Sequence, residues 1–192
     1  MKKKASEKVP APLKHGALIF ILSLIGQPTL QGYIHPADPF VLLAATRLPT
    51  KQALLACGIA SAASDLLKGY YATAPFTLAI KLLMVLAVKA LLQLKGAKKN
   101  PELMVSIAAL IPVPGYYAAQ LIKWQVYSWI SGHAYKPLYW ANASLTKNLI
   151  QAVASVLIFI VLCDLIKGWR KVKQTAAEIK AEQQKEKEEQ SE

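Results

Sequence analysis

The sequence predicts an all-α membrane protein with six transmembrane helices in one bundle and both termini in the cytoplasm. Three observations lead to this prediction. Hydrophobic residues make up 54% of the 192 residues, and the mean hydropathy is +0.30, which is more apolar than an ordinary soluble domain of this length. Fourteen of the 23 lysines and arginines fall into four short clusters. Long apolar stretches separate these clusters.

The four basic clusters mark the cytoplasmic side, because short loops rich in Lys and Arg stay inside. Their members are Lys2, Lys3, Lys4, Lys8 and Lys14; Arg47 and Lys51; Lys95, Lys98 and Lys99; and Lys167, Arg170, Lys171 and Lys173. The segments assigned to the outside hold two basic residues, Lys68 and Lys136. The net charge of +12 could also indicate nucleic acid. The basic residues form no continuous stripe, however, so we expect the lipid bilayer as partner and no nucleic acid.

The first three spans are assigned to residues 15–31, 40–48 and 52–67. A helix needs about 20 residues to cross the hydrocarbon core. The second stretch is shorter than this, so part of the preceding outer loop, 32–39, is expected either to dip into the membrane or to fold over a cavity. The third contains small residues at helical spacing, including Ala56, Ala60 and Ser64. These allow close contact with a partner helix, either inside this chain or in another chain.

The last three spans are assigned to residues 76–94, 102–130 and 144–166. Pro75 and Pro101 are suited to begin helices, whereas Pro112 and Pro114 are expected to bend the fifth span. Residues 131–143 between the last two spans carry aromatic side chains typical of a membrane surface.

The predicted organisation is therefore a basic cytoplasmic N-terminus (1–14), a six-helix transmembrane domain (15–168) and a charged cytoplasmic tail (169–192). The tail is rich in Glu, Lys and Gln and poor in large apolar residues. It is expected to be either a solvated helical extension or disordered.

The sequence carries no catalytic or nucleotide-binding motif, so we expect neither an enzyme nor a cofactor. The histidines, His15, His35 and His133, lie at segment ends, and Cys57 and Cys163 lie in apolar stretches without metal-ligand spacing. No metal site is expected. Transport against a gradient would therefore need an ion gradient or a separate ATPase.

Polar residues inside the apolar spans are the candidate site residues, because such residues are costly in a bilayer and usually face a bundle interior or a cavity. Most fall in the outer half of their spans: Asp38, Asp65, Thr77, Lys81, Gln120, Lys123, Tyr127, Asn148 and Gln151. Helical spacing places Tyr116, Gln120, Lys123 and Tyr127 on one face of the fifth span. With Asn148 and Gln151 they could line an outward-facing pocket.

Structural roles remain open for several of these residues. Lys81 could pair with Asp65 across adjacent helices or contact a ligand. Lys123 could extend to the outer headgroups, and Asn148 and Gln151 could join helices by hydrogen bonds.

Several segments together resemble the substrate-binding (S) components of energy-coupling factor (ECF) vitamin transporters, in particular the riboflavin-type subgroup. The similar segments are Ala63-Ser64-Asp65-Leu66-Leu67-Lys68-Gly69-Tyr70, Ala74-Pro75-Phe76-Thr77-Leu78-Ala79-Ile80-Lys81, Gly115-Tyr116-Tyr117 and Asn148-Leu149-Ile150-Gln151. The resemblance covers about residues 15–168.

This resemblance implies a six-helix bundle that captures a vitamin from outside and associates with a transmembrane coupling subunit and two ATPase subunits. It implies ligand contacts at His35, Asp38, Tyr117, Lys123, Asn148 and Gln151. It also makes the small-residue face, with Ala56, Ala60 and Ser64, a candidate for docking on the coupling subunit.

The predicted function is therefore capture of a small water-soluble vitamin or precursor, with riboflavin as a candidate, for ATP-driven uptake in the plasma membrane. Lys123 and Lys147 favour a substrate with a carboxylate or phosphate group. One alternative is a self-sufficient carrier in which Asp38 or Asp65 couples an ion. Another is a membrane scaffold whose outer polar cluster binds no ligand.

Overall fold

A computed structural model describes residues 9–29 and 32–189. Most of the described chain is helical, and one short hairpin of two strands follows the first helix. The elements in chain order are α1 (Ala11–Leu24), β1 (Gln27–Thr29), β2 (Gly32–Ile34), α2 (Asp38–Arg47), α3 (Thr50–Leu67), α4 (Ala74–Leu91), a 3₁₀ turn (Lys95–Lys98), α5 (Pro101–Ala108), α6 (Pro112–Ser131) and α7 (Pro137–Glu189). With α5 and α6 counted as one interrupted helix, the described residues form six helices, which confirms the all-α class.

Within the described residues, three segments are long and apolar enough to cross a membrane: Ala74–Leu91, Pro101–Ser131 and Pro137–Gly168. Helix α1 is also apolar, but it has only 14 residues. The described residues form two units, one ending at Phe159 and one beginning at Ile160. In the second unit the chain is helical from Ile160 to the end of α7. Of the two states expected for the tail, a helical extension or disorder, the structure therefore has the helix.

The first predicted span, 15–31, is wrong at its outer end. Helix α1 stops at Leu24, and β1 and β2 pair as an antiparallel hairpin with Gln27 opposite Ile34 and Pro28 opposite Tyr33. Pro28 has no N–H for a helical bond and disfavours helix at the residue before it, which is why the helix cannot continue. The predicted outer loop, 32–39, accordingly begins inside β2.

The other predicted spans agree with the structure in part. Helix α2 has ten residues, as short as expected. The fifth predicted span is interrupted at 109–111, and its helix restarts at Pro112, one of the two prolines expected to bend it. Helix α7 begins at Pro137 rather than at 144, since proline is favoured in the first helical turn. Much of the predicted outer segment 131–143 is therefore helical.

Part of the basic pattern lies outside the description. Lys2, Lys3, Lys4 and Lys8 precede the described residues, and Gln31 lies between the two described ranges. The side chains of Arg170, Lys171 and Lys173 are also outside the description.

The core of the first unit forms around α2, α3 and α4. Helix α3 packs against α1 and α4, and α2 contacts α1, α3, α4 and α5. Val41, Leu42, Ala44 and Ala45 of α2 have no exposed surface. At the end of α2, Lys89 Nζ donates a hydrogen bond to the carbonyl of Leu48 at 2.7 Å, which satisfies a backbone acceptor that a helix end leaves open.

Glycine allows two helix pairs to approach closely. A Cβ on Gly58 of α3 would lie 2.9 Å from atoms of Leu78 and Leu82 of α4. A Cβ on Gly115 of α6 would lie 2.8 Å from Ile80 of α4. Small residues at helix crossings commonly have this role in membranes.

We predict that Gly58→Val destabilises the bundle by about 1–3 kcal/mol, because the branched side chain must push α3 away from α4. Thermal unfolding in detergent measures the change. Gly16→Ala is the control, since a Cβ there makes only ordinary contacts, at 3.6 Å or more, with Ala56. Equal melting temperatures for Gly58→Val and the wild type would contradict the close packing.

Candidate functional site

A polar cavity of about 170 Å³ lies within the first unit. It is bounded by the segment that contains β2, the C-terminal end of α3, the N-terminal end of α4, and parts of α6 and α7. Its lining residues are Tyr33, His35, Asp65, Tyr70, Thr73, Thr77, Tyr116, Gln120, Lys123, Trp124, Lys147, Asn148 and Gln151.

A buried ion pair adjoins the cavity. Lys81 Nζ donates a hydrogen bond to Asp38 Oδ1, and the two residues are 0% and 1% exposed. Gln151 Nε2 donates to the other oxygen of Asp38 at 2.8 Å, while Gln151 Oε1 accepts from the backbone N–H of His35 at 3.3 Å. A carboxylate removed from water needs such a partner at each of its oxygens. Gln151 thus connects α7 to the start of α2.

The predicted pair between Asp65 and Lys81 is wrong. Asp65 instead accepts hydrogen bonds from the hydroxyls of Tyr33 and Thr77, the latter at 2.5 Å. Thr77 Oγ1 also lies 3.1 Å from the hydroxyl of Tyr116. The reason is geometric: α2 brings Asp38 to Lys81, and two neutral hydroxyls then satisfy Asp65.

Tyr33 and Lys68 hold the β1–β2 hairpin against this side of the cavity. Lys68 Nζ donates to the carbonyl of Ser23 and lies 3.2 Å from the centroid of the Tyr33 ring, a cation–π contact. The Tyr33 ring also packs against those of His35 and Tyr70, at centroid distances of 5.3 and 5.4 Å. Burial, with the hydrogen bond to Asp65, raises the pKa of Tyr33, so its hydroxyl remains a donor.

The opposite wall, formed by α6 and α7, offers aromatic and nitrogen groups. Trp124 Nε1 donates to Gln120 Oε1 at 3.1 Å, and its ring stacks on Trp140 at 4.5 Å. Lys123 and Lys147, both half-buried, line this wall. Asn148 is 5% exposed, and its Nδ2 makes no hydrogen bond within the described part of the chain.

The structure brings five of the eight predicted substrate-binding residues to the cavity wall: His35, Gln120, Lys123, Asn148 and Gln151. Asp38 lies behind Gln151 in the buried pair. Tyr117 does not line the cavity but donates to Asn142 Oδ1 at 2.9 Å. Tyr127 lines a neighbouring cleft with Lys123 and Tyr70. Binding by these residues remains a prediction.

Sequence reasoning missed four residues in the wall: Tyr33, Tyr70, Thr73 and Trp124. Trp124 had a usable signal, because it lies four residues after Gln120 and therefore shares its helical face. Tyr33 had none, since the hairpin that positions it has no Asn-Gly or Asp-Gly signal in the sequence.

The predicted docking face on α3 is largely covered within the chain. Ala60 and Ser64 are buried, and Ala56 packs against Gly16 of α1. Ala60 and Ser64 therefore do not form a free surface for a coupling subunit, whereas Ala56 is half-buried. Their small side chains let helices of this chain approach one another. Of the two partner helices expected for this face, one inside this chain or one in another chain, the structure has the former.

Among the described residues, no group of three or more His, Cys, Asp or Glu side chains could hold a metal ion. Cys57 is buried, and neither Cys57 nor Cys163 forms a disulfide.

Residues 16–168 match the family model described as "ECF-type riboflavin transporter, S component". The chain belongs to this family of S components. It is therefore a multi-pass membrane protein of a transport system and not an enzyme, as the sequence resemblance implied.

A solved chain has the same fold as this S component. Its structure, described as "Structure and mechanism of the S component of a bacterial ECF transporter", matches with a TM-score of 0.59 and 14% identity, over 83% of this chain and 95% of that chain. A comparison with curated protein sequences gave no match.

We predict that Lys81→Met destabilises the S component by about 3–5 kcal/mol, because it leaves the Asp38 carboxylate buried without its cation. The double variant Lys81→Met/Asp38→Asn should recover most of this loss. Lys89→Met on the same helix is the control and should cost about 1 kcal/mol for one hydrogen bond. Thermal unfolding measures all three, and a double variant no more stable than Lys81→Met would contradict the pairing.

We predict that acid destabilises the protein through His35. Burial, with the charges of Lys81, Lys68 and Lys147, lowers the pKa of His35 to about 4, although Asp38 opposes the shift. Because the unfolded state binds the proton more tightly, the stability is complete above about pH 6.5 and falls as the pH drops towards 4, by about 2 kcal/mol at pH 5.

The variant His35→Asn tests this effect, since its carbonyl can still accept the hydrogen bond that Ala37 N–H donates to His35 Nδ1 at 3.2 Å. Melting temperatures at pH 7.5 and pH 5 should differ less in this variant than in the wild type. Exposed His133→Asn should behave like the wild type. An unchanged pH dependence in His35→Asn would contradict the assignment.

Proposed function

We propose that this S component captures riboflavin, or a vitamin with a similar flat heterocycle, in the cavity between α3, α4, α6 and α7. The family supports a flavin, and the wall chemistry agrees with it. A flavin ring presents several carbonyl and nitrogen acceptors, and the wall offers nitrogen donors from Lys123 and Asn148. Tyr70 and Trp124 provide aromatic surface for ring contact.

The observation that supports a ligand most directly is the Nδ2 group of Asn148. It is buried in the wall and makes no hydrogen bond within the described chain. A buried donor without a partner costs about 1–3 kcal/mol. A ligand acceptor at this position would remove that cost.

The cavity must widen for a flavin. Its volume of about 170 Å³ is below the roughly 300 Å³ at which pockets for drug-sized ligands begin. The β1–β2 hairpin is the wall that we expect to move, because side-chain contacts of Tyr33 and Lys68 hold it rather than helix packing.

The proposed topology places the cavity on the outer side of the plasma membrane, with both termini in the cytoplasm. Lys51 lies at the start of α3, whereas Asp65 lies at its end; likewise Lys95 follows α4, whereas Thr77 is in its first turn. The basic residues and the cavity therefore occupy opposite ends of these helices, and the basic ends are cytoplasmic. Residues 15–168 form the transmembrane domain in this proposal.

Uptake against a gradient requires an energy source, and the sequence holds no nucleotide-binding motif. We propose that a transmembrane coupling subunit and two ATPase subunits provide it, as the ECF family implies. The docking surface for them would not use Ala60 or Ser64, which are buried.

We predict that the purified protein retains or binds riboflavin and that Asn148→Ala weakens this binding about tenfold, by loss of one hydrogen bond. Flavin fluorescence quenching in detergent measures the affinity, and mass spectrometry identifies any co-purified molecule. Asn142→Ala is the matched control, because Asn142 bonds to Tyr117 outside the cavity. Absence of flavin binding in the wild type would contradict the flavin assignment.

A further inference from the structure

A groove of about 360 Å³ lies on the side of α6 opposite to the polar cavity. Its lining residues are Leu121, Ile122, Gln125, Val126, Trp129 and Pro137. The five residues from α6 recur at the spacing of one helical face, whereas Gln120, Lys123 and Trp124 form the cavity face of the same helix. Helix α6 thus carries two surfaces, a polar one towards the cavity and a mainly apolar one along this groove.

The end of α6 and the start of α7 form the groove together. Gly132 follows α6 with a φ of 69°, a left-handed conformation that glycine adopts without strain. The chain turns there, and Pro137 begins α7 beside α6. Trp129 lies eight residues after Leu121, so the groove runs about 12 Å along α6. This length is close to the roughly 15 Å of hydrocarbon in one leaflet of a bilayer.

The groove lies near one end of a membrane-crossing segment. The segment Pro101–Ser131 is long and apolar enough to cross, and Trp129 lies two residues before its end. Trp129 is 75% exposed, and tryptophans concentrate where the hydrocarbon meets the headgroups. The groove therefore extends from headgroup level at Trp129 towards the bilayer centre at Leu121. In the proposed topology this is the outer leaflet.

Gln125 places an amide in this otherwise apolar groove. Its side chain is exposed and takes part in none of the hydrogen bonds among the described residues. A polar group that faces hydrocarbon is costly without a partner. Gln125 precedes Trp129 by about one helical turn, which places the amide about 6 Å below headgroup level. Acyl ester carbonyls, which accept hydrogen bonds, lie at this depth, because the interfacial layer of a leaflet is about 5–7 Å thick.

The segment beside the groove, residues 132–136, carries a positive charge. It contains Lys136 and no acidic residue. Lys136 is exposed and directly precedes Pro137 of the groove, and a lysine ammonium attracts phosphate groups. A cation, a hydrogen-bond donor and apolar side chains thus follow one another from the membrane surface inwards. The phosphate, ester and acyl chain of a glycerophospholipid follow in the same order.

A helix from a second copy of the chain fits this face less well than a lipid. Helices that associate within a membrane approach each other through small residues. This face of α6 instead presents large side chains, including Ile122, Val126 and Trp129. A flexible acyl chain can follow the irregular surface between them.

We propose that this groove binds one anionic glycerophospholipid. An acyl chain lies along Leu121, Ile122 and Val126. An ester carbonyl accepts a hydrogen bond from Gln125, and the phosphate lies beside Lys136. This is a discrete site that holds one molecule and selects its headgroup, beyond the general contact of apolar helices with a bilayer. It is separate from the cavity and does not depend on the proposed function.

The test uses brominated lipids, because bromine quenches tryptophan fluorescence at contact. The purified full-length protein in detergent micelles is titrated with brominated phosphatidylglycerol or with brominated phosphatidylcholine, which has no net charge. The quenching of Trp129 is the difference between each protein and its counterpart that carries Trp129→Phe. Native mass spectrometry counts the bound lipids and determines the oligomeric state.

Three variants examine the three parts of the site. Val126→Phe fills the groove, Gln125→Leu removes the amide at similar size, and Lys136→Gln removes the charge. The matched controls change exposed residues outside the groove: Val153→Phe, Gln93→Leu and Lys99→Gln. All six side chains are exposed, so the core is unchanged, and melting temperatures establish that each variant is folded.

We expect one bound lipid and saturable quenching of Trp129, at an about fivefold lower concentration of phosphatidylglycerol than of phosphatidylcholine, the effect of one cation near a headgroup. Lys136→Gln should remove this preference. Gln125→Leu should weaken the binding of both lipids about fivefold, since both carry the ester. Val126→Phe should abolish saturable quenching, and the controls should behave like the wild type.

Three results would overturn the inference. Quenching that rises without saturation, or that Val126→Phe leaves unchanged, means that lipid contacts the groove only at random. Equal affinity for the two lipids means that Lys136 selects no headgroup. A dimer that dissociates in Val126→Phe means that a second copy of the chain occupies the groove.

Discussion

The buried pair between Lys81 and Asp38 is the interaction on which the rest of the site depends. Two charges removed from water are tolerated only when each has close, well-directed partners. Asp38 has Lys81 on one oxygen and Gln151 on the other, and its place in the first turn of α2 adds a favourable helix dipole. The pair therefore fixes α2, α4 and α7 relative to one another within the first unit.

The position of this pair also determines what the cavity presents. Because Lys81 pairs with Asp38, Asp65 instead accepts hydrogen bonds from the hydroxyls of Tyr33 and Thr77. Tyr33 in turn holds the hairpin at the cavity, and Lys68 strengthens this contact through the ring and the carbonyl of Ser23. The hairpin wall is thus attached by side chains, which can separate without unfolding a helix. The helical walls of α6 and α7 carry the cations.

The parts of the site that follow helical spacing were predictable from sequence. Gln120 and Lys123 share a helical face, and both line the cavity as predicted. The interruption of the fifth span before Pro112 also follows from a local cause, since proline interrupts a helix wherever the helix lies. Tyr117 shows the limit of resemblance between short motifs: it lies beside Tyr116, but the helical turn points it to Asn142 instead of the cavity.

The sequence by itself determined the membrane class, the six helical segments and the family, because hydropathy, proline positions and short motifs are local properties of the chain. Only the tertiary structure decided that Lys81 pairs with Asp38 and that α3 uses Ala60 and Ser64 internally. Asp38 and Lys81 are 43 residues apart, and their meeting depends on where α1 ends and how α2 enters beside α4. The pairing is decided by burial, because a charge inside the packed interior is stable only next to a partner of opposite charge.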